Sequence, residues 1–197
     1  MKSIAMQGLG LVTVLIGIKM MITTQNILIV LVSMAIGGIL GELLRIELRL
    51  DAFGAKVEAK LSREGGTFAK AFVTSSLLYC MGPMAILGAL QDGLTGDYSI
   101  LLTKSGLDGI ASIAFASTLG IGVLFSALPV AAYQGTITIG ASMLEPYLTS
   151  SMINEMTATG GLLILGIALN ILQVAKIKVG NLLPAILVAA VLASIAV

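Results

Sequence analysis

The sequence predicts an all-α fold, a polytopic transmembrane helical bundle of about seven spans. Three observations predict it. Apolar residues fill 57% of the 197 positions and charged residues only 11%, whereas soluble domains average roughly 45–50% and about 25%. Mean hydropathy is +1.07. The apolar residues also fall in long runs, and a membrane-crossing helix needs about 20 of them at about 1.5 Å rise each.

Taken in order, the runs are span A from Met6 to Ile22, span B from Asn26 to Leu44 and span C from Ala71 to Leu90. Span D runs from Ile110 to Leu128, span E from Pro129 to Leu148, span F from Met156 to Val174 and span G from Val179 to Val197. Together they use most of the chain, so residues 1–197 are expected to form one integral membrane domain. Span E carries Tyr133, Gln134, Thr136, Thr138 and Glu145 and opens on a proline. It reads as a broken or a re-entrant helix, tolerated only where protein or water covers the backbone. Met1 to Ile22 has no small-residue cleavage site of a signal peptide.

The one hydrophilic stretch, residues 45–70, carries six basic and four acidic residues. Leu44, Leu48, Leu50, Phe53 and Val57 are spaced as one helical face, followed by Gly65-Gly66. This is either an amphipathic connector along the membrane surface or a solvated connecting helix. With the N-terminus cytoplasmic, inside segments hold nine basic residues and outside segments only Lys19 and Lys104. The positive-inside rule selects that orientation.

Composition excludes much chemistry. There is no histidine, no tryptophan and a single cysteine, Cys80, expected to be packing. A disulfide scaffold, a His/Cys metal site and a His-based triad are ruled out. Net charge of +1 leaves no basic patch for nucleic acid. No catalytic residue, metal or cofactor is expected.

Two internal resemblances point to inverted repeats. MQGLGLVTVLIGI from Met6 resembles MTATGGLLILGI from Met156, Gly17 matches Gly166, and Asn26-Ile-Leu matches Asn181-Leu-Leu. The copies lie five spans apart, an odd offset that reverses their orientation. The second match is weaker: Phe72-Val-Thr-Ser with Pro83 and Gly93, against Phe115-Ala-Ser-Thr with Pro129 and Gly135.

Polar residues inside the spans are the candidate site. Ser33, Gly37 and Gly41 form a small-residue stripe for close helix packing. Thr74, Ser75 and Ser76 in span C, and Ser117 and Thr118 in span D beside Gly120 and Gly122, could unwind a helix and bind a solute. The competing structural expectation is that each hydroxyl bonds back to its own helix. Asp108 shares a face with Ser105 and Ser112 at the start of span D. It would carry a proton or sodium ion, or else sit at a helix N-terminus in interfacial water. Asn170 is a deeper polar residue. Glu42 is expected to pair with Arg45 or to snorkel, Glu155 and Asn154 to cap span F, and Asn26 and Asn181 to cap helices or line a site. Asp92 and Asp97 read as turn residues.

The runs FVTSSLLYCMGPMAILGALQDGLTGD, LLTKSGLDGIASIAFASTLGIGVLFSALP, INEMTATGGLLILGIALN and IKVGNLLPA resemble the YqgA/YdfK-type bacterial membrane proteins, domain-of-unknown-function family 554. The resemblance spans essentially the whole chain. It implies a multi-pass protein of the bacterial cytoplasmic membrane and no particular activity or site residue. It also implies a further glycine-rich span before the segment MQGLGL, which would give eight spans and two four-span halves.

The expected function is a small secondary transporter, moving a small solute coupled to protons or sodium. Substrate is expected at Thr74, Ser75, Ser76, Ser112, Ser117, Thr118 and Asn170, between spans C, D and F, with Asp108 as the coupling residue. The expected partners are the lipid bilayer, the solute or ion, and a second copy in a homodimer. A channel, and a non-transporting scaffold or sensor partner docking through residues 45–70, are the alternatives. An enzyme is not expected, because no nucleophile–base pair or deep carboxylate pair is present.

Overall fold

The computed structural model describes residues 2–50, 52, 68–80, 83–146 and 149–195, and every regular element among them is helical. The connector expected over residues 45–70 is helical at 46–50; its Phe53, Val57 and Gly65-Gly66 lie outside the described residues. The helices are α1 Lys2–Met21, α2 Ile27–Leu44, α3 Phe68–Cys80, α4 Pro83–Thr95, α5 Ser99–Leu119 and α6 Gly122–Phe125. They continue with α7 Ala127–Ile139, α8 Ala141–Leu144, α9 Ser150–Ile171, α10 Val179–Leu182 and α11 Pro184–Ile195.

Four stretches are long and apolar enough to cross a membrane: α2, α5, α6 with α7, and α9. A fifth is added if α3 and α4, bent by 57° at their junction, count as one span. The stretches Gly10–Met21 and Val179–Ile195 are apolar and shorter. The molecule is apolar on the outside: Ile113 is 75% and Leu15 66% exposed, whereas Glu155 is 0% exposed. That inversion suits a chain whose solvent is lipid.

Proline placement explains where helices break. Pro83 opens α4, Pro184 opens α11, and Pro129 sits in the first turn of α7. A proline is tolerated in a first turn, where its missing N–H would be unpaired anyway, and it stops the preceding helix from running on. Gly120 ends α5 at φ 92°, a conformation that L side chains rarely adopt. Asn26 caps α2 by accepting the Leu28 N–H, as expected.

Several boundaries differ from expectation. The run expected from Ile110 to Leu128 is α5, Ser99–Leu119, and the run expected from Pro129 starts at Gly122. The reason is electrostatic: Lys104 and Asp108 pair with each other, so the helix runs through both. Similarly, α9 begins at Ser150 behind the Thr149 cap, which places Glu155 inside the helix rather than ahead of it. Its carboxylate staples the α1–α2 turn. It accepts the Thr24 hydroxyl at 2.6 Å and the N–H groups of Gln25 at 2.7 Å and Asn26 at 3.0 Å.

The helices that resemble each other in sequence pack together. On α1, Gly10 lies against Leu172 and Gly17 against Gly161 and Leu165 of α9, so the two run antiparallel. On α2, Gly37 lies against Ala185 and Gly41 against Asn181, again antiparallel. A Cβ on Gly37 would sit 2.3 Å from the Ala185 Cα. The contacts of Gly17, Gly37 and Gly41 are with backbone atoms, the approach that small residues permit in lipid. Helices α3 to α8 form the other half, with Gly122 against Phe68 and Gly93 against Thr138 and Ala141. Helix α9 touches both halves: Leu163, Ile167 and Ile171 pack on Leu77, and Ile153 packs on Ile86 and Ile137.

Candidate functional site

Two cavities collect the polar side chains. The central one, about 420 Å³, lies between α3, α5, α6 and α7 and is open to the outside along Ile113 and Leu124, which are 75% and 70% exposed. Helix α5 presents Leu101, Lys104, Ser105, Asp108 and Ser112 to it, a spacing that repeats every three or four residues. Tyr79 comes from the end of α3, Ser126 from the α6–α7 junction and Gln134 from α7. Apolar walls come from Ile113, Val123, Leu124 and Val130.

The central feature is an ion pair between the Lys104 ammonium and the Asp108 carboxylate, at positions i and i+4. The side chains are 9% and 29% exposed. Asp108 lies near the middle of α5 and Lys104 in its second turn. An unpaired charge at that depth is costly, and such residues face a partner or a water-filled cavity; here they do both. Ser112 donates its hydroxyl to the Tyr79 oxygen at 2.9 Å. Ser126 is spent on its own helix, donating to the Val123 carbonyl at 2.7 Å. The Gln134 amide nitrogen is buried without a partner among the described residues.

The second cavity, about 700 Å³, lies at one end of the bundle, between the start of α3, the end of α9 and the 172–178 loop. Thr74 and Asn170 line it with Lys70, Lys176, Lys178 and Glu47. Asn170 positions the loop: its amide nitrogen donates to the Ile177 carbonyl and its oxygen accepts the Ile177 N–H, both at 2.7 Å. Glu42 ion-pairs with Lys178 at 3.6 Å, where Arg45 was the expected partner, and accepts from the Asn181 amide. Arg45 instead ends α2 in the left-handed conformation at φ 51°. Asn181 also accepts the Glu47 N–H at 2.8 Å.

The expected site residues therefore divide. Ser112 and Asp108 meet in the central cavity, Thr74 and Asn170 in the end cavity. Ser75, Ser117 and Thr118 bond back to helix carbonyls, Ser75 to Ala71 at 2.6 Å, Ser117 to Ala114 at 2.8 Å and Thr118 to Phe115 at 3.0 Å. The Ser76 hydroxyl is buried without a partner among the described residues and lines neither cavity. Lys104, Tyr79 and Gln134 were not anticipated. The opposite charges at 104 and 108, one turn apart inside an apolar run, were the available signal. No group of three or more acidic or thiol side chains that could hold a metal comes together among the described residues.

The turn between α4 and α5 is polar and exposed. Asp97 accepts the Ser99 N–H at 3.0 Å and is also bonded by the Gln91 amide. The Ser99 N–H holds its carboxyl below the usual carboxylate range.

Residues 1–194 match the model of the family described as "Protein of unknown function (DUF554)". The chain is 39% identical over 193 residues to the "Uncharacterized membrane protein YdfK" of Bacillus subtilis (strain 168), covering 95% of this chain and 81% of that one. It is 32% identical over 185 residues to the "Uncharacterized protein YqgA" of Escherichia coli (strain K12), covering 91% of this chain and 79% of that one. No solved structure matches it. Helical throughout its described residues, with several membrane-length apolar helices, the chain belongs to the DUF554 family of uncharacterised membrane proteins.

Proposed function

We propose that this chain is a small secondary transporter whose central cavity carries a small polar solute, coupled to protons or sodium through Asp108. The observation that carries this reading is the Lys104–Asp108 pair, one turn apart within α5 and facing a cavity. A pair with a purely structural role has no need of a void. Beside a void, the Lys104 ammonium acts as an internal counter-cation. When a proton or sodium ion takes Asp108, Lys104 is released toward the cavity and can hold an acceptor group of the solute. When the ion leaves, Lys104 returns and the empty carrier reorients with no uncompensated charge in lipid. Tyr79, Ser112 and Gln134 supply the neutral hydrogen-bonding groups that orient the solute.

The wider architecture supports the same reading. Helices α1 and α2 pack antiparallel on the helices that resemble them, α9 and α10–α11, as two inverted repeats would around an axis in the membrane plane. One broken helix, α3 with α4, bent by 57°, interrupts the bundle. We infer seven crossings with the N-terminus inside, in a bacterial cytoplasmic membrane. With Lys104 inside a helix, nine basic residues remain on the inner side and Lys19 alone on the outer. The outer face of α5 exposes Leu107, Ile110 and Ile113, and Gly106 and Gly109 have open space around them. A second copy packed there would complete the cavity wall as a homodimer.

Proteoliposome uptake of a panel of labelled small polar solutes, with and without an imposed proton or sodium gradient, tests the proposal. Gradient-dependent accumulation that is lost in Asp108→Asn is expected. Conductance without gradient coupling overturns it in favour of a channel, and full activity of Asp108→Asn removes Asp108 from the coupling role.

A further inference from the structure

The end cavity is chemically unlike the central one. It is lined by three lysines and one carboxylate. Lys178 is paired with Glu42 at 3.6 Å, and one Glu47 oxygen accepts the Gly180 N–H. Lys70 and Lys176 have no carboxylate partner among the described residues. The nearest acceptor to the Lys70 ammonium is the Asn170 carbonyl at 3.4 Å, a long contact. Beside the Lys178–Glu42 pair, the void is thus lined by two ammonium groups and the single Glu47 carboxylate, an excess of positive charge among the described residues.

Thr74 is the second, independent observation. It is 3% exposed and lines the void one helical turn beyond Lys70, on the same face of α3. Its neighbour Ser75 bonds back to the Ala71 carbonyl, whereas Ser76, like Ser33, Thr157 and Thr159 elsewhere, has no partner among the described residues. Thr74 makes no hydrogen bond among the described residues. Its hydroxyl lines the void, where a ligand oxygen would supply a bond. The start of α3 adds its positive dipole end to the same place. The end of α9 opposes this with about half a charge, less than the two ammoniums carry. Beyond the cationic rim the walls are apolar, from Leu50, Val73, Ile167, Ile177 and Val179.

These features point to a binding site for a phosphate group carried on an organic body. Lys70, Thr74 and Lys176 would hold the oxyanion, and the apolar walls would receive the adjoining carbons. Asn170 acts as a positioning residue, because it fixes the loop that carries Lys176. The phosphate could belong to an anionic phospholipid headgroup, since basic pockets between membrane helices recognise such groups, or to a soluble phosphate ester.

The test uses the full chain in nanodiscs of phosphatidylcholine, followed by thermal unfolding. One arm adds glycerol 3-phosphate at constant ionic strength, with sodium chloride as control. The other replaces part of the lipid with phosphatidylglycerol. In the wild type, midpoint temperature should rise with ligand in at least one arm, and the responding arm identifies the source. Lys70→Gln/Lys176→Gln should require at least tenfold more ligand for the same rise, and Thr74→Val several-fold more. Should the double variant not fold, Lys176→Gln alone changes an exposed side chain and should still weaken the response, while Lys176→Arg should restore it. No response in either arm, or equal responses in wild type and the folded lysine variants, overturns the proposal.

Discussion

Removing one member of the Lys104–Asp108 pair should be far more damaging than removing both. Asp108→Asn leaves an ammonium whose side chain is 9% exposed, with no counter-charge beside it. Breaking a buried pair this way costs about 3–5 kcal/mol. Lys104→Met leaves a carboxylate that is 29% exposed and opens onto the central cavity, where water can reach it. Its cost should fall between the value under about 1 kcal/mol of an exposed pair and the lower end of the buried range, near 2 kcal/mol. Lys104→Met/Asp108→Asn removes both charges, and replacing a buried pair with neutral groups is often neutral or stabilising. The double variant should therefore be more stable than Asp108→Asn, and if it is neutral the double-mutant cycle gives a coupling energy of about 5–7 kcal/mol.

Unfolding in mixed micelles by titration with denaturing detergent, followed by helical circular dichroism, measures all four proteins. If the single effects add to the double within about 0.5 kcal/mol, the two charges do not interact and the argument fails. The same four proteins serve the transport assay. A double variant that folds well and has lost gradient-dependent uptake separates the functional role of the charges from their structural one.

Gly41→Ala would put a Cβ 1.8 Å from the Asn181 carbonyl oxygen, a backbone atom that cannot rotate away. It should destabilise by about 3 kcal/mol or more in the same titration, whereas Gly109→Ala, with nothing within 4 Å, should be neutral or slightly stabilising. Glu155→Gln keeps one acceptor oxygen for three donors and should cost about 2–3 kcal/mol; an unchanged unfolding midpoint would rule out the staple. Asn170→Ala should accelerate hydrogen exchange at the Ile177 amide, which loses its acceptor; unchanged exchange there would mean the loop is held by something else. The Asp97 carboxyl, followed by NMR in micelles, should titrate below the usual value of about 3.9. With a depressed folded value, its capping of the Ser99 N–H is complete above the unfolded value and fades as pH falls through the folded one. A midpoint at or above the unfolded value would contradict that geometry.

Where packing follows from residue size and spacing, the sequence was a sufficient guide. Ser33, Gly37 and Gly41 were legible as a close-packing stripe, and all three are buried. Asn26 was legible as a cap because its role depends on its immediate neighbours. Glu155 was not. Its three donors lie about 130 positions away along the chain, and an acidic residue near an apolar boundary looks like an interfacial cap until the α1–α2 turn is seen around it. Asn170 misled for the same reason, since its partner Ile177 lies across a loop whose path the sequence does not specify. Hydroxyls are ambiguous in principle: Ser75, Thr74 and Ser76 are consecutive, yet one bonds to its helix, one lines a cavity and one is buried without a partner.

Lys104 shows how topology and site become entangled in a sparsely charged chain. Hydropathy treats each charge as hydrated, so a lysine and an aspartate close together move a span boundary outward, and the fourth span was expected to begin at Ile110. Once the two charges neutralise each other at i and i+4, the run from Ser99 to Leu119 becomes one helix of spanning length. In the orientation we propose, the same correction removes Lys104 from the outer loop and sharpens the basic asymmetry on which that proposal rests. It also carries Asp108 from the membrane interface to the middle of a helix, where a positive helix end no longer explains its presence. Opposite charges one turn apart in an otherwise apolar run are therefore better taken as one neutral unit inside the membrane than as two ends of a loop. In this protein that unit faces the central cavity.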